Sequence, residues 1–135
     1  MSKGRVLVVD DDADVRKSVR LILSRAGYDV VEAEDGEAGV RTIKRIDNPF
    51  FVLGAIICDL NMPKMNGMEA ITYFRSHFPH APVIVLSGEV TSERAGVLLV
   101  QGVSCILSKP MDQDTLLAAV KKVFDEGGWK DDIAT

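Results

Sequence analysis

Five polar residues lie within two positions of the end of a short apolar run of the chain: Asp10, Asp11, Asp59, Ser87 and Lys109. Carboxylates that share one pocket repel each other, and a divalent cation removes that conflict. All-oxygen ligands favour a hard ion such as Mg²⁺, which can also clamp phosphate oxygens. A carboxylate beside such an ion can attack phosphorus and form an aspartyl phosphate. Ser87 could then hydrogen-bond one phosphoryl oxygen, and Lys109 could pair with another.

Each of these residues alone also has a purely structural interpretation. Three acidic residues before an apolar helix are typical of helix capping, and we expect Asp12 to be the N-cap. Asp59 could simply end a strand, Ser87 could be a loop hydroxyl, and Lys109 could be a solvated charge. The chemical interpretation therefore depends on whether the fold brings these side chains together.

The elements that would position them alternate along the chain. Short β-branched runs are followed by segments with helical periodicity, and this alternation occurs five times, as is typical of a parallel sheet. The apolar stripe after Asp12 predicts a first helix that ends at Gly27. Thr91 or Ser92 is expected to cap the fourth helix, and Asp112 the fifth. The predicted strands are 5–10, 28–33, 55–59, 83–87 and 104–107.

Five such units predict an α/β fold, a doubly wound five-stranded parallel sheet of flavodoxin-like order 2-1-3-4-5, flanked by five helices. Ligands of this architecture bind beyond the carboxyl ends of the strands. The five polar residues are all expected at that edge. Their joint placement favours a shared metal and phosphate site over five separate structural roles.

Length and composition limit the remaining possibilities. The chain has 135 residues, so we expect one domain over residues 1–128, with residues 129–135 as a tail or the start of a linker. A net charge of -4 argues against direct nucleic-acid binding. No apolar stretch approaches the roughly 20 residues of a membrane helix, and no signal peptide is apparent, so we expect no membrane association and a cytoplasmic location. Cys58 and Cys105 are expected to be buried thiols.

Four motifs give the chain a family resemblance: VLVVDDDADVR, CDLNMPKMNGMEA, VIVLSGE and ILSKP. In order and spacing they resemble the receiver domain of two-component response regulators, over about residues 4–125. The resemblance implies that Asp59 is the phosphoacceptor. It also implies that Asp10, Asp11 and the backbone carbonyl of Asn61 hold Mg²⁺ together with Asp59.

The resemblance extends to the switch and phosphate-binding residues. Ser87 matches the switch hydroxyl of the family. Lys109 matches its phosphate-binding lysine and precedes Pro110, where the family usually has a cis peptide.

The same resemblance implies partners. The phosphodonor would be a histidine kinase or a His-containing phosphotransfer protein. The chain would catalyse only its own phosphorylation and dephosphorylation, with Asn61 and Glu89 tuning the loss of the phosphoryl group. Phosphorylation would change a surface formed by the fourth helix, fifth strand and fifth helix, about Ser92 to Phe124, for an output domain or target protein. A phosphorylation-dependent homodimer is a further expected use of that surface.

The sequence departs from the family pattern at Ile106, a switch position that usually carries Tyr or Phe.

Three alternative functions stay open. An aspartyl-nucleophile phosphatase would use similar chemistry, but Asp59-Leu60-Asn61 lacks the second Asp of its motif. A flavodoxin-like FMN binder would need a first loop that accepts a phosphate, which three acidic residues would repel. A receiver that is never phosphorylated is the third.

Overall fold

In the computed structural model, the described residues are 3–46, 53–60, 67–88, 91–109 and 112–126. They form five strands and five helices that alternate along the chain. The strands are β1 (Arg5–Val9), β2 (Asp29–Ala33), β3 (Leu53–Asp59), β4 (Val83–Ser87) and β5 (Cys105–Ser108). The helices are α1 (Ala13–Arg25), α2 (Gly36–Ile46), α3 (Gly67–His77), α4 (Ser92–Val100) and α5 (Gln113–Asp125).

All five strands belong to one parallel sheet in the order β2-β1-β3-β4-β5. The predicted fold class is confirmed. The interior strands β1, β3 and β4 are apolar along most of their length because helices cover both faces of the sheet. Their carboxyl ends lie side by side, since Val9 is in register with Cys58, and Asp59 with Leu86.

Alternate residues of each strand face two separate apolar layers. Leu7, Ile56 and Val85 pack with Phe74 of α3 and Leu98 of α4 on one face. The opposite face is packed in the same way by α1 and α5. It contains Val6, Ile57 and Ile84 from the strands, Leu23 from α1 and Val120 from α5.

Side-chain caps begin four of the helices in the described ranges. The Asp35 carboxylate accepts a hydrogen bond from the Ala38 N–H (2.8 Å) at the start of α2. The Asp12 carboxylate accepts hydrogen bonds from the N–H groups of Asp14 (2.9 Å) and Val15 (3.4 Å), which confirms its predicted role. Thr91, rather than Ser92, caps α4 by accepting from the Arg94 N–H. Asp112 caps α5 as predicted.

Four strands differ from the sequence prediction at one or both ends. β2 begins at Asp29 instead of residue 28. β1 ends at Val9 instead of residue 10, although the Asp10 N–H still donates to the Ala33 carbonyl at 3.2 Å. β3 begins two residues earlier than predicted, because Leu53 pairs with Arg5. β5 is shifted by one residue to Cys105–Ser108, because its register pairs Cys105 with Ile84 and Ser108 with Ser87.

Both cysteines are free thiols, as expected. Cys58 is fully buried, whereas Cys105 is only half-buried. Burial also raises the pKa of the Cys58 thiol, so this side chain stays protonated at neutral pH.

The helices of the described ranges are short. The longest, α1 and α5, have 13 residues each. Within these ranges, no helix combines the length and apolar character that would be needed to cross a membrane.

Candidate functional site

Polar side chains are buried at the carboxyl edge of the sheet. Asp10 follows β1, Asp59 ends β3 and Ser87 ends β4, and each is at most 4% exposed. Among the described residues, these three are the buried polar or charged ones. Buried polar groups are costly unless they are paired, so their concentration at one place marks this edge as the functional candidate.

Three carboxylates form the core of the site. One oxygen each from Asp10, Asp11 and Asp59 lies within 4.8 Å of the other two. Asp10 and Asp59 are buried, whereas Asp11 is exposed. The inner part of the cluster is therefore buried, and the side that carries Asp11 is open to solvent. This geometry confirms that the fold brings the three predicted acids together.

Lys109 supplies the positive charge of the cluster. Its Nζ lies 3.0 Å from Oδ2 of Asp10 and 3.3 Å from Oδ1 of Asp59. Its backbone N–H donates to the Ser87 carbonyl at 2.8 Å, which fixes the start of the side chain beside β4. Burial alone would lower the pKa of Lys109, but the hydrogen bond and charge of Asp10 and the charge of Asp59 outweigh it and raise the pKa. Lys109 therefore stays charged.

Both carboxylate oxygens of Asp10 accept hydrogen bonds. Its Oδ1 accepts a hydrogen bond from the Asp12 N–H at 2.9 Å, and its Oδ2 accepts from Lys109. Burial nevertheless raises the pKa of Asp10 above its ordinary value of 3.8, and the nearby charge of Asp59 acts in the same direction. The site thus disfavours the ionised form of Asp10, and a bound cation would favour it.

The donor set fits a hard divalent cation. All three candidate ligands are carboxylate oxygens, which suit Mg²⁺. The nearby sulfur does not compete, because Cys58 is held as a thiol and its Sγ donates to the Asp59 carbonyl at 3.3 Å. The three carboxylates present therefore fit a Mg²⁺ ion.

The other predicted site residues fall into two groups. Ile106 of β5 is half-buried and packs against the core face that contains Leu98 of α4. Asn61, Glu89 and Pro110 lie outside the described residues. Their predicted roles are therefore not tested by the geometry.

The sequence analysis missed one residue of the site. Arg16 of α1 donates a hydrogen bond from Nη1 to the backbone carbonyl of Asp10 at 2.5 Å. The signal that could have marked it is its place as the last residue of the motif VLVVDDDADVR. A single basic residue in a helix carries no such information by itself.

Together, the parallel sheet and its buried acidic edge define an α/β protein of the flavodoxin-like class with a cluster of three carboxylates at the carboxyl edge of the sheet. The sequence profile described as "Response regulator receiver domain" matches residues 6–121, and the chain belongs to this family. Receiver domains are signalling domains of two-component systems, and they bind Mg²⁺ at an acidic cluster.

Individual relatives agree with this assignment. The chain is 32% identical over 138 residues to the transcriptional regulatory protein GlrR of Escherichia coli K12, covering 98% of this chain and 30% of GlrR. It is 35% identical to DegU of Brevibacillus brevis, covering 95% of this chain and 53% of DegU. The chain thus spans between about a third and a half of these relatives.

Solved structures show the same fold. The chemotaxis protein CheY4 of Vibrio cholerae superimposes with a TM-score of 0.79 at 31% identity, covering 89% of this chain and 98% of CheY4. A CheY-like receiver domain protein of Methanospirillum hungatei gives a TM-score of 0.82 at 27% identity, covering 93% of this chain and 96% of that one.

Proposed function

We propose that this domain is the phosphoacceptor of a two-component phosphorelay, with Asp59 as the residue that carries the phosphoryl group. The observation that supports this most directly is the cluster of Asp10, Asp11 and Asp59, bridged by Lys109. Asp59 is the member that ends the central strand β3, so its carboxylate is held by a rigid element. We assign the receiver domain to residues 1–128, and residues 129–135 to a tail or the start of a linker.

In the proposed transfer, a carboxylate oxygen of Asp59 attacks the phosphorus of a phosphohistidine. The new O–P bond forms as the N–P bond to the donor breaks, and the donor imidazole leaves with that electron pair. Asp10, Asp11, Asp59 and the Asn61 carbonyl would hold Mg²⁺, which would neutralise charge on the transferred group when bound. Lys109 would turn from Asp10 and Asp59 toward a phosphoryl oxygen, and Ser87 would bind another oxygen.

Hydrolysis of the acyl phosphate would return the domain to its starting state. Asn61 and Glu89 stand two positions after Asp59 and Ser87, and we assign them to the tuning of this step. If both were replaced and the lifetime of the phosphorylated protein did not change, this assignment would be wrong.

The partners follow from the same proposal. A histidine kinase or His-containing phosphotransfer protein would supply the phosphoryl group, in the cytoplasm, where thiols such as Cys58 and Cys105 stay reduced. The output surface would be α4, β5 and α5. Its helix α4 exposes Val97, Leu99 and Val100, which are 45%, 57% and 88% exposed. A target protein, an output domain or a second copy of the chain would cover these side chains.

A connected path supports coupling between the site and this surface. Ser87 lies at the end of β4, just before the segment that leads to α4, and its carbonyl accepts from the Lys109 N–H after β5. Movement of Ser87 toward a phosphoryl group would therefore act on both elements. Because Ile106 replaces the usual aromatic residue of the switch, this response would not need the rotation of an aromatic side chain.

Incubation with acetyl phosphate and Mg²⁺, followed by intact mass measurement, tests the proposal. We expect a phosphoryl-sized mass gain in the wild type and none in Asp59→Asn. Asp12→Asn is the matched control, because it removes a neighbouring acid while Asn still caps α1. It should be phosphorylated like the wild type. A mass gain that survives in Asp59→Asn would contradict the assignment, and repeated turnover of a simple phosphate ester would favour a phosphatase.

A further inference from the structure

Arg16 connects α1 to the loop that carries the acidic pair. Its guanidinium donates from Nη1 to the Asp10 carbonyl at 2.5 Å, and its side chain is only 18% exposed. This contact is made to the backbone of Asp10 and not to its carboxylate. It therefore leaves both carboxylate oxygens available to other partners.

Glu32 of the edge strand β2 holds the guanidinium from the other side. Its Oε1 lies 3.6 Å from Nε of Arg16, and its Oε2 lies 2.7 Å from Nε of Arg20. Arg20 is one helical turn beyond Arg16 on α1, so one carboxylate is shared by two arginines of the same helix face. The result is a chain of contacts from β2 through α1 to the Asp10 backbone.

Cation binding would affect the backbone hydrogen bonds of Asp10 differently from those of its carboxylate. Its N–H donates to the Ala33 carbonyl, and its own carbonyl accepts from Arg16. Its carboxylate, in contrast, accepts from the Asp12 N–H and from Lys109, and these side-chain contacts must be shared or released when the carboxylate turns to a cation. The two backbone contacts can persist throughout. Of these two, the contact with Arg16 is the only one made by a side chain.

From these contacts, we propose that Arg16 is a positioning residue that sets the cation affinity of the acidic cluster by holding the backbone of Asp10. This inference rests on the proposed cation site and adds a residue to it. Without Arg16, the Asp10 carboxylate would have to be ordered during cation binding, and the lost conformational freedom would weaken affinity. The effect should therefore appear in cation affinity in the absence of any phosphodonor.

Binding of Mn²⁺, which takes the same oxygen ligands as Mg²⁺, tests the proposal by the EPR signal of the free ion. We expect Arg16→Met to weaken Mn²⁺ binding about tenfold, at the lower end of the range for lost outer-shell contacts. Arg16→Lys keeps the charge and one donor nitrogen, but it cannot contact the Asp10 carbonyl and Glu32 with separate nitrogens. Its Mn²⁺ affinity should therefore lie between those of the wild type and Arg16→Met.

Arg5→Met is the matched control. Arg5 pairs through Nε with Asp29 of β2 at 2.7 Å, and its side chain is 11% exposed. This pair lies at the amino-terminal ends of β1 and β2, whereas Asp10 follows the carboxyl end of β1. Loss of Arg5 should lower the melting temperature and change the Mn²⁺ affinity less than about twofold, because the Arg5–Asp29 pair lies at the ends of β1 and β2 that are remote from the acids. Wild-type affinity in Arg16→Met, or equal weakening in Arg5→Met, would overturn the inference.

Two further variants keep the outcomes distinguishable. If the wild type binds Mn²⁺ no better than Asp59→Asn, the proposed cation site is wrong, and the proposed role of Arg16 is wrong with it.

If Arg16→Met does not fold, the Mn²⁺ affinity of Glu32→Gln tests the inference instead, because this change weakens the contact that supports the guanidinium without removing the guanidinium. We expect it to bind Mn²⁺ about threefold more weakly than the wild type, less than loss of a whole outer-shell partner. Wild-type affinity in Glu32→Gln would then overturn the inference.

Discussion

At the amino-terminal ends of β1 and β3, the Phe124 ring of α5 lies over Gly4 and Gly54, while the carboxyl-terminal ends of the same strands carry Asp10 and Asp59. Any Cβ added at either glycine would collide with the Phe124 ring, which also packs against Tyr28 with the ring centroids 5.2 Å apart. This end is held by close apolar contact. The acidic end brings two buried carboxylates together with a single lysine.

This difference shows how one sheet separates stability from function. Close packing at the apolar end stabilises the folded protein, and this stabilisation does not require a ligand. The acidic end contains more negative than positive charge and is relieved only when a cation or a proton arrives. Mg²⁺ should therefore compensate for substitutions at the acidic end and leave the effect of substitutions at the apolar end unchanged.

The largest effect is expected from Lys109→Met at the acidic end. Without Mg²⁺, this change leaves Asp10 and Asp59 without their cation and should lower the free energy of unfolding by about 2–3 kcal/mol. That is less than for a fully buried pair, because Lys109 is 24% exposed. Mg²⁺ should restore part of the loss. Chemical denaturation in EDTA and in Mg²⁺ measures both values. Lys121→Met, an exposed site on α5, is the control, and an equally small effect of both changes would contradict the proposed repulsion.

A somewhat smaller effect is expected from Gly54→Ala at the apolar end. The new methyl group would displace the Phe124 ring and should cost about 1–3 kcal/mol of stability. Because this site is remote from the acids, the stabilisation by Mg²⁺ should equal that of the wild type.

Gly96→Ala provides the comparison for Gly54→Ala. Gly96 is an exposed residue of α4 with open space around its Cα, and alanine there should stabilise the protein by roughly 0.5–1 kcal/mol. If Gly54→Ala were as stable as the wild type, the packing of Phe124 would not support this end of the sheet.

The smallest expected effect is a pH dependence that comes from Asp10. Burial raises the pKa of Asp10 in the folded protein above 3.8. Its contribution to stability is therefore fully present below 3.8 and is lost as the pH rises through the folded pKa. Without Mg²⁺, the stability of the wild type relative to Asp10→Asn should rise as the pH falls from neutral toward that value. Urea denaturation across this interval measures the difference, and a relative loss of stability on acidification would contradict the direction of the shift.

The sequence could predict what local patterns determine. Apolar runs predict all five strands to within two residues, and the parallel architecture then places Asp59 and Ser87 at one edge. The cap of α5 at Asp112 was equally local. Where two residues could cap α4, only the backbone geometry distinguished Thr91 from Ser92.

Contacts between distant parts of the chain could not be predicted in this way. The contact of Phe124 with Gly54 joins α5 to β3, and no local pattern encodes it. The hydrogen bond from Arg16 depends on how α1 is seated over the end of β1. Likewise, the bridge that Lys109 makes between Asp10 and Asp59 joins residues that lie far apart in the sequence, and no local pattern predicts it.

Anomalous diffraction from crystals grown with Mn²⁺ tests the shared-cation site most directly. We expect a single strong peak among the carboxylates of residues 10, 11 and 59, with density for their oxygens around it. Crystals saturated with Mn²⁺ that show no peak there, with Lys109 still bridging Asp10 and Asp59, would contradict it.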